Sequence, residues 1–151
     1  MNMYADIIVN IQGDEPFIHP EVIDDLVKSL LLHADEQVAS VGCSITDPKD
    51  ITDRNVVKVG IDKEGYAIDF TRGSKYKQYK HIGIYAYRRE FLEKFIEMPT
   101  SEREAISSLE QFRILDNGYK IRMITTDHNT ISIDTPEDLD KARRYLNDKK
   151  F

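Results

Sequence analysis

Apolar residues recur along this chain in two rhythms, one of period two and one of period near 3.6, and the two alternate from end to end. Residues 6–11, DIIVNI, form a near-continuous apolar run, the mark of a strand covered on both faces. Residues 20–32 place Val22, Ile23, Leu26, Val27, Leu30 and Leu31 on one helical stripe, with Pro20 at the first helical position, which predicts a crossover helix. VASVGCSI at 38–45 reads as a strand, and VVKVGI with YAIDF, separated by Asp62, Lys63, Glu64 and Gly65, reads as a hairpin. HIGIYAY at 81–87 is a further strand. A helix is expected from about Arg89 to Glu97, and another beginning at Ser101, where SERE is a capping box, and ended by Asn117 and Gly118. IRMITT at 121–126 is a strand, and DTPEDLDKARRYL carries a strand end into a closing helix. No linker, internal repeat or low-complexity segment interrupts this order, so the pattern predicts one α/β domain over residues 1–151.

Composition narrows what such a domain can do. With 151 residues, 40% hydrophobic and 32% charged, the chain can bury one ordinary core. A formal charge of −6 without a dense Lys and Arg cluster predicts no nucleic-acid partner. The basic residues of KARR and the pair Lys149 and Lys150 fall in and after the last helix, where they complement its dipole. The single cysteine, Cys43, excludes an intramolecular disulfide and a Cys-based zinc site; within VASVGCSI it is either a small core residue or a nucleophile. No signal-peptide pattern and no membrane-length apolar run occurs, so the expected compartment is the cytoplasm, with no membrane partner.

Chemistry enters where strands end. IIVNIQGDEP breaks at Gly13 into Asp14 and Glu15, just before a helix. These carboxylates either solvate the strand end and favour the helix dipole, or Gly13 turns the backbone so that Asp14 points into the crevice at the carboxyl end of a parallel strand and holds a hard cation. In IDTPEDL, Thr135 is the N-cap, Pro136 the first helical residue, and Glu137 and Asp138 the acidic first turn. Asp134 is not needed for that cap. It is expected at a strand end adjacent to that of Asp14, and two such aspartates could share one Mg²⁺. In KHIGIYAYR, Ile82, Ile84 and Ala86 face one way, while His81, Gly83, Tyr85 and Tyr87 face the other. The second face is expected to be polar, with a gap at Gly83 that fits a ligand, or else an ordinary half-exposed strand face. Glu110 and Gln111 are neighbours on a predicted helix, where a solvated face is the alternative to a site.

QGDEP at 12–16, KHIGIYAYR at 80–88, SLEQFRIL at 108–115, DNGYKI at 116–121 and IDTPEDL at 133–139 together resemble the 3-deoxy-manno-octulosonate cytidylyltransferases, the CMP-Kdo synthetases, in order and spacing. The similarity runs from about Ala5 to Leu146. It implies an α/β nucleotidyltransferase fold, a mixed sheet with flanking helices and an incomplete dinucleotide-binding-like core. It further implies Mg²⁺-dependent transfer of a cytidylyl group from CTP to Kdo or a related 2-keto sugar acid, for lipopolysaccharide or capsule synthesis, in a homodimer or other homo-oligomer. The resemblance makes Asp14 and Asp134 the metal carboxylates and places His81, Tyr85, Glu110 and Gln111 in the sugar-acid pocket, with His81 donating to a hydroxyl or carboxylate. Arg72, in DFTRGS, stands where the family has a Ser-Arg pair near its substrates, but Thr71 replaces the Ser and the following Ile-Pro is absent. Residues 73–79 are shorter than the corresponding family segment, and Ser132 and Ile133 stand where Gly-Val is usual.

The family also has a front strand and an IPAR-type loop that embraces the CTP triphosphate. The seven glycines lie at 13, 42, 60, 65, 73, 83 and 118, so neither GxGxxG nor a Walker-type loop can be drawn. The sequence is therefore expected to be the C-terminal portion of a synthetase, inactive alone and completed by an N-terminal partner segment. An unpaired edge on the strand from Asp6 to Ile11 is expected to favour self-association. The competing expectation is a non-catalytic module of the same ancestry that binds a sugar acid or a partner chain.

Overall fold

The computed structural model describes residues 5–148. Lys149 and Lys150, read above as a basic helix end, lie outside those residues. The elements follow in the order β1 (Ile7–Ile11), α1 (Pro20–Leu32), β2 (Val38–Ser44), α2 (Lys49–Thr52), β3 (Lys58–Ile61), β4 (Ala67–Thr71), β5 (Tyr79–Arg88), α3 (Arg89–Glu97), α4 (Glu102–Ser107), α5 (Gln111–Asp116), β6 (Arg122–Thr126) and α6 (Pro136–Asp148). They build the mixed sheet with flanking helices that the resemblance implies, in the strand order β4-β3-β5-β2-β6, with β1 also on β5.

Local chemistry accounts for most boundaries. Gly65 at φ +86° closes the β3–β4 turn, and Asp62 Oδ1 accepts from the backbone N–H groups of Glu64 and Tyr66 at 2.9 and 2.8 Å. Ser101 and Glu104 form the expected reciprocal capping box at the start of α4, an arrangement worth about 1 kcal/mol. Thr135 and Asp138 do the same at α6: Thr135 Oγ1 accepts from Asp138 N–H at 3.2 Å while Asp138 Oδ2 accepts from Thr135 N–H at 3.2 Å.

Three expectations are corrected. β1 is not covered on both faces and has no parallel neighbour: it pairs antiparallel with β5 alone among the described strands, and Ile11 is 44% exposed. The helix expected from Ser101 to Asn117 is two helices, because Ser108 adopts the left-handed conformation at φ +55° and turns the chain before Glu110. Residues 127–135 form a loop where a strand end was expected.

The sheet separates two apolar cores. Val22, Leu26 and Leu30 of α1 pack on Ala39, Val41, Ile82, Ile84 and Ala86. Cys43 belongs to the same cluster, with burial pushing its thiol pKa up, so it is the core residue and not an activated nucleophile. On the opposite face Tyr85 and Tyr87 pack with Phe70, Phe91, Phe112 and Ile114. β1, β2 and β6 all run antiparallel to β5 or parallel to such a strand, so their carboxyl ends share one edge of the sheet. Above that edge lies the cleft.

Candidate active site

The chain leaves β1 at Ile11, and Gln12 to Glu15 turn across the top of β5, where Gln12 N–H donates to Gly83 O at 3.4 Å. The Gln12 side chain lies over Gly83 so closely that a Cβ there would sit 2.6 Å from Gln12 Oε1. The gap at Gly83 therefore receives Gln12, not a ligand. From that position Gln12 Nε2 donates to Glu110 Oε1 at 3.2 Å, joining the β1 end to the α4–α5 junction.

Glu15 is the anchor of the next segment. Its carboxylate is buried and accepts from Thr130 Oγ1 at 3.0 Å and Ser132 Oγ at 2.5 Å. Burial pushes its pKa up; the two hydroxyls oppose this and Asp14 adds to it. These bonds, with Ile133 N–H donating to Asp14 O at 2.8 Å, fasten the 127–135 loop against the β1 end. β5 and β2 lie between β1 and β6, so the aspartates do not come from adjacent strand ends. The loop carries Asp134 back across the sheet edge to Asp14.

Both aspartates face one cleft of about 540 Å³. Burial raises the Asp134 pKa, and the charges of Asp14 and Asp138 raise it further, against the pull of Arg72. Asp14 Oδ1 is buried and, among the described residues, has no hydrogen-bond donor. A carboxylate oxygen without a partner costs its desolvation energy, and a second carboxylate beside it adds repulsion. Both costs are relieved by a hard divalent cation, for which two carboxylates and open water positions are a sufficient donor set. The residues present thus fit a divalent metal.

The rest of the cleft supplies polar groups of both signs. Lys80 and Lys141 are already paired with Asp50 and Asp138 at 2.9 and 3.0 Å. Arg72 donates from Nη1 to Arg54 O at 3.3 Å and, among the described residues, meets no carboxylate at ion-pair distance. Tyr85 is buried and its hydroxyl donates to Gln111 Oε1 at 3.4 Å, so the β5 face expected to be half-exposed is core at Tyr85 and Tyr87. Gln111 is buried too, not part of a solvated helix face. His81 Nε2 lies 2.8 Å from Ser40 Oγ, and burial lowers the ring pKa from 6.5 to about 4, so the imidazole is neutral at pH 7. A donor role for His81 therefore falls to the neutral ring, not to an imidazolium.

All seven residues singled out in the sequence, Asp14, Arg72, His81, Tyr85, Glu110, Gln111 and Asp134, line this one cleft. Residues 1–121 match the family model described as cytidylyltransferase. The chain belongs to the cytidylyltransferase family. Cytidylyltransferases typically use a divalent metal, in keeping with the donor set at Asp14 and Asp134. Similar proteins include the 3-deoxy-manno-octulosonate cytidylyltransferases of Solibacter usitatus, 42% identical over 94% of this chain and 60% of the relative. That of Parabacteroides distasonis is 42% identical over 93% of this chain and 63% of the relative. The chain thus spans about 60% of the length of the curated relatives it matches. Among solved structures, a CMP:2-keto-3-deoxy-manno-octonic acid synthetase complexed with CTP aligns with a TM-score of 0.88 at 32% identity, covering 98% of this chain and 64% of that one. A 4-diphosphocytidyl-2C-methyl-D-erythritol synthase from Anaerococcus prevotii, with a TM-score of 0.57 at 20% identity over 97% of this chain and 61% of that one, shares the fold.

The sequence reading missed Gln12 and gave Glu15 no role beyond that of a strand-end carboxylate. Gln12 and Glu15 stand inside QGDEP, but their roles depend on partners 98 and 115 residues away. No local pattern encodes such distances.

Proposed function

We propose that this cleft serves the Mg²⁺-dependent transfer of a cytidylyl group from CTP to the anomeric hydroxyl of Kdo, in lipopolysaccharide or capsule synthesis. The anomeric oxygen bonds to the α-phosphorus, the bond from that phosphorus to the pyrophosphate oxygen breaks, and the hydroxyl proton is released. Asp14 and Asp134 would hold Mg²⁺. When bound, the ion neutralises the negative charge that gathers on the phosphate oxygens. Arg72 keeps guanidinium N–H groups for an anionic group of the substrates. Glu110, Gln111, Tyr85 and His81 form the wall that receives the sugar acid.

The single observation that carries this reading is the buried, unpartnered Asp14 Oδ1 beside the raised-pKa Asp134, in a cleft shared with the five other expected residues. The relatives named as Kdo cytidylyltransferases and the similar CTP complex support the choice of substrates. No Gly-rich phosphate loop occurs in the 151 residues, so we expect them to hold the triphosphate weakly and to turn over negligibly by themselves. Calorimetric titration with MgCl₂ tests the metal assignment. Parent protein should bind one equivalent, and Asp14→Asn and Asp134→Asn should each lose that binding. Equal affinity in the parent and in both variants would refute the assignment.

A further inference from the structure

β2 and β5 run antiparallel, but their register shifts between Ser40 and Val41: Ser40 pairs with Tyr85 and Val41 with Ile82. Gly83 and Ile84 are left opposite β2 without partner residues. Gly83 O already accepts from Gln12 N–H on the β1 side. The alternation of carbonyls along a strand turns Ile84 O toward β2, and there the Ser40 hydroxyl donates to it at 2.8 Å.

A serine hydroxyl has one proton. With that proton committed to Ile84 O, the 2.8 Å contact between Ser40 Oγ and His81 Nε2 takes its proton from the imidazole. We propose that Ser40 is a positioning residue that fixes His81 as the Nε2–H tautomer, so that Nδ1 presents a lone pair to the cleft and selects a hydroxyl, not the carboxylate, of the bound sugar acid. The identity of that ligand rests on the function proposed above; the tautomer does not. Phe70 meets the ring edge-on at 5.0 Å and Tyr85 lies against it at 5.5 Å, so both ring plane and tautomer are held. Among the described residues no group donates to Nδ1. A carboxylate placed there would face a lone pair and be repelled, whereas a hydroxyl would donate.

The test is ¹⁵N NMR of the histidine ring nitrogens in the full chain at neutral pH, with the four histidines distinguished by a His81→Gln variant. The parent should show Nε2 protonated and Nδ1 bare, and Ser40→Ala should show a mixture of tautomers. Adding Kdo should shift the Nδ1 resonance, and monodeoxy Kdo analogues should identify one hydroxyl whose removal weakens parent binding about tenfold and Ser40→Ala binding by a smaller factor. An Nδ1–H ring in the parent would overturn the proposal without any variant being needed. Kdo binding that leaves Nδ1 unmoved would overturn the selection of a hydroxyl. An Nε2–H ring in a chain that binds no Kdo would uphold the tautomer and count instead against the proposed function.

Discussion

The two faces of β5 are built from one alternating sequence yet do different work. On one, Ile82, Ile84 and Ala86 meet α1 in a core made of aliphatic side chains and a thiol, where nothing needs a hydrogen bond and stability comes from apolar area and close packing. On the other, Tyr85, Tyr87 and His81 are equally out of bulk solvent or nearly so, but they carry polar atoms inward. Each cleft-facing one is held by a defined partner: Gln111 for Tyr85, Ser40 for His81. The difference teaches that burial alone does not separate scaffold from site here. What separates them is whether the buried groups have hydrogen-bonding capacity that fixes a direction.

That contrast can be broken from its scaffold side first. Leu26 is fully buried in the aliphatic core, and Leu26→Ala should destabilise the fold by about 2–5 kcal/mol. Denaturant unfolding would give that figure, while the folded fraction should keep parent affinity for Kdo; a matching loss of affinity would mean the two faces are not separable. On the polar face the largest stability effect should appear with pH. The folded His81 titrates at about 4 against 6.5 when exposed. Between those values the unfolded chain binds the proton and the folded chain does not. Its contribution is present above pH 6.5 and is lost as the pH falls to about 4, a change on the order of 2–3 kcal/mol. Glu15, with its raised pKa, contributes in the opposite sense, its stability being lost as the pH rises above 4.5. The His81→Gln curve subtracted from the parent curve should isolate the histidine. A flat difference between pH 4 and 6.5 would show that the ring is freely protonated in the fold.

Smaller effects sharpen the comparison on binding. His81→Ala should weaken Kdo binding by the folded protein about tenfold, and unchanged calorimetric affinity would remove His81 from the proposed sugar wall. Tyr85→Phe deletes only a long hydrogen bond of 3.4 Å, so thermal unfolding should register a cost of about 1 kcal/mol or less. A cost of several times that would mean the hydroxyl has partners beyond Gln111.

Local signals account for what the sequence made legible. Pro20 with its apolar stripe, Gly65 in the hairpin, the Ser101 capping box and the Thr135 cap each act within a few residues, and each appears where expected. The misreadings concern partners. An apolar run such as IIVNI records fitness for burial but not which neighbour covers it, and β1 proved an edge strand. ISI before Asp134 has strand composition, yet Glu15 draws Thr130 and Ser132 into a loop instead. Ser108 in a left-handed conformation has no residue signal, since that geometry favours glycine or asparagine. The seven residues that share the cleft were singled out because motif order marked six of them together and DFTRGS added Arg72. Why they converge, through Gln12, Glu15 and the β2–β5 register shift, became visible only in three dimensions.

The most direct test of the central claim is pyrophosphate release from CTP, Mg²⁺ and Kdo by this chain, supplemented in trans with the N-terminal portion of a related synthetase. Supplemented parent protein should release pyrophosphate well above the rate of either part alone, and Asp14→Asn should lower that rate by on the order of 10² to 10³ or more. Equal release by the supplemented parent and Asp14→Asn proteins would contradict the account.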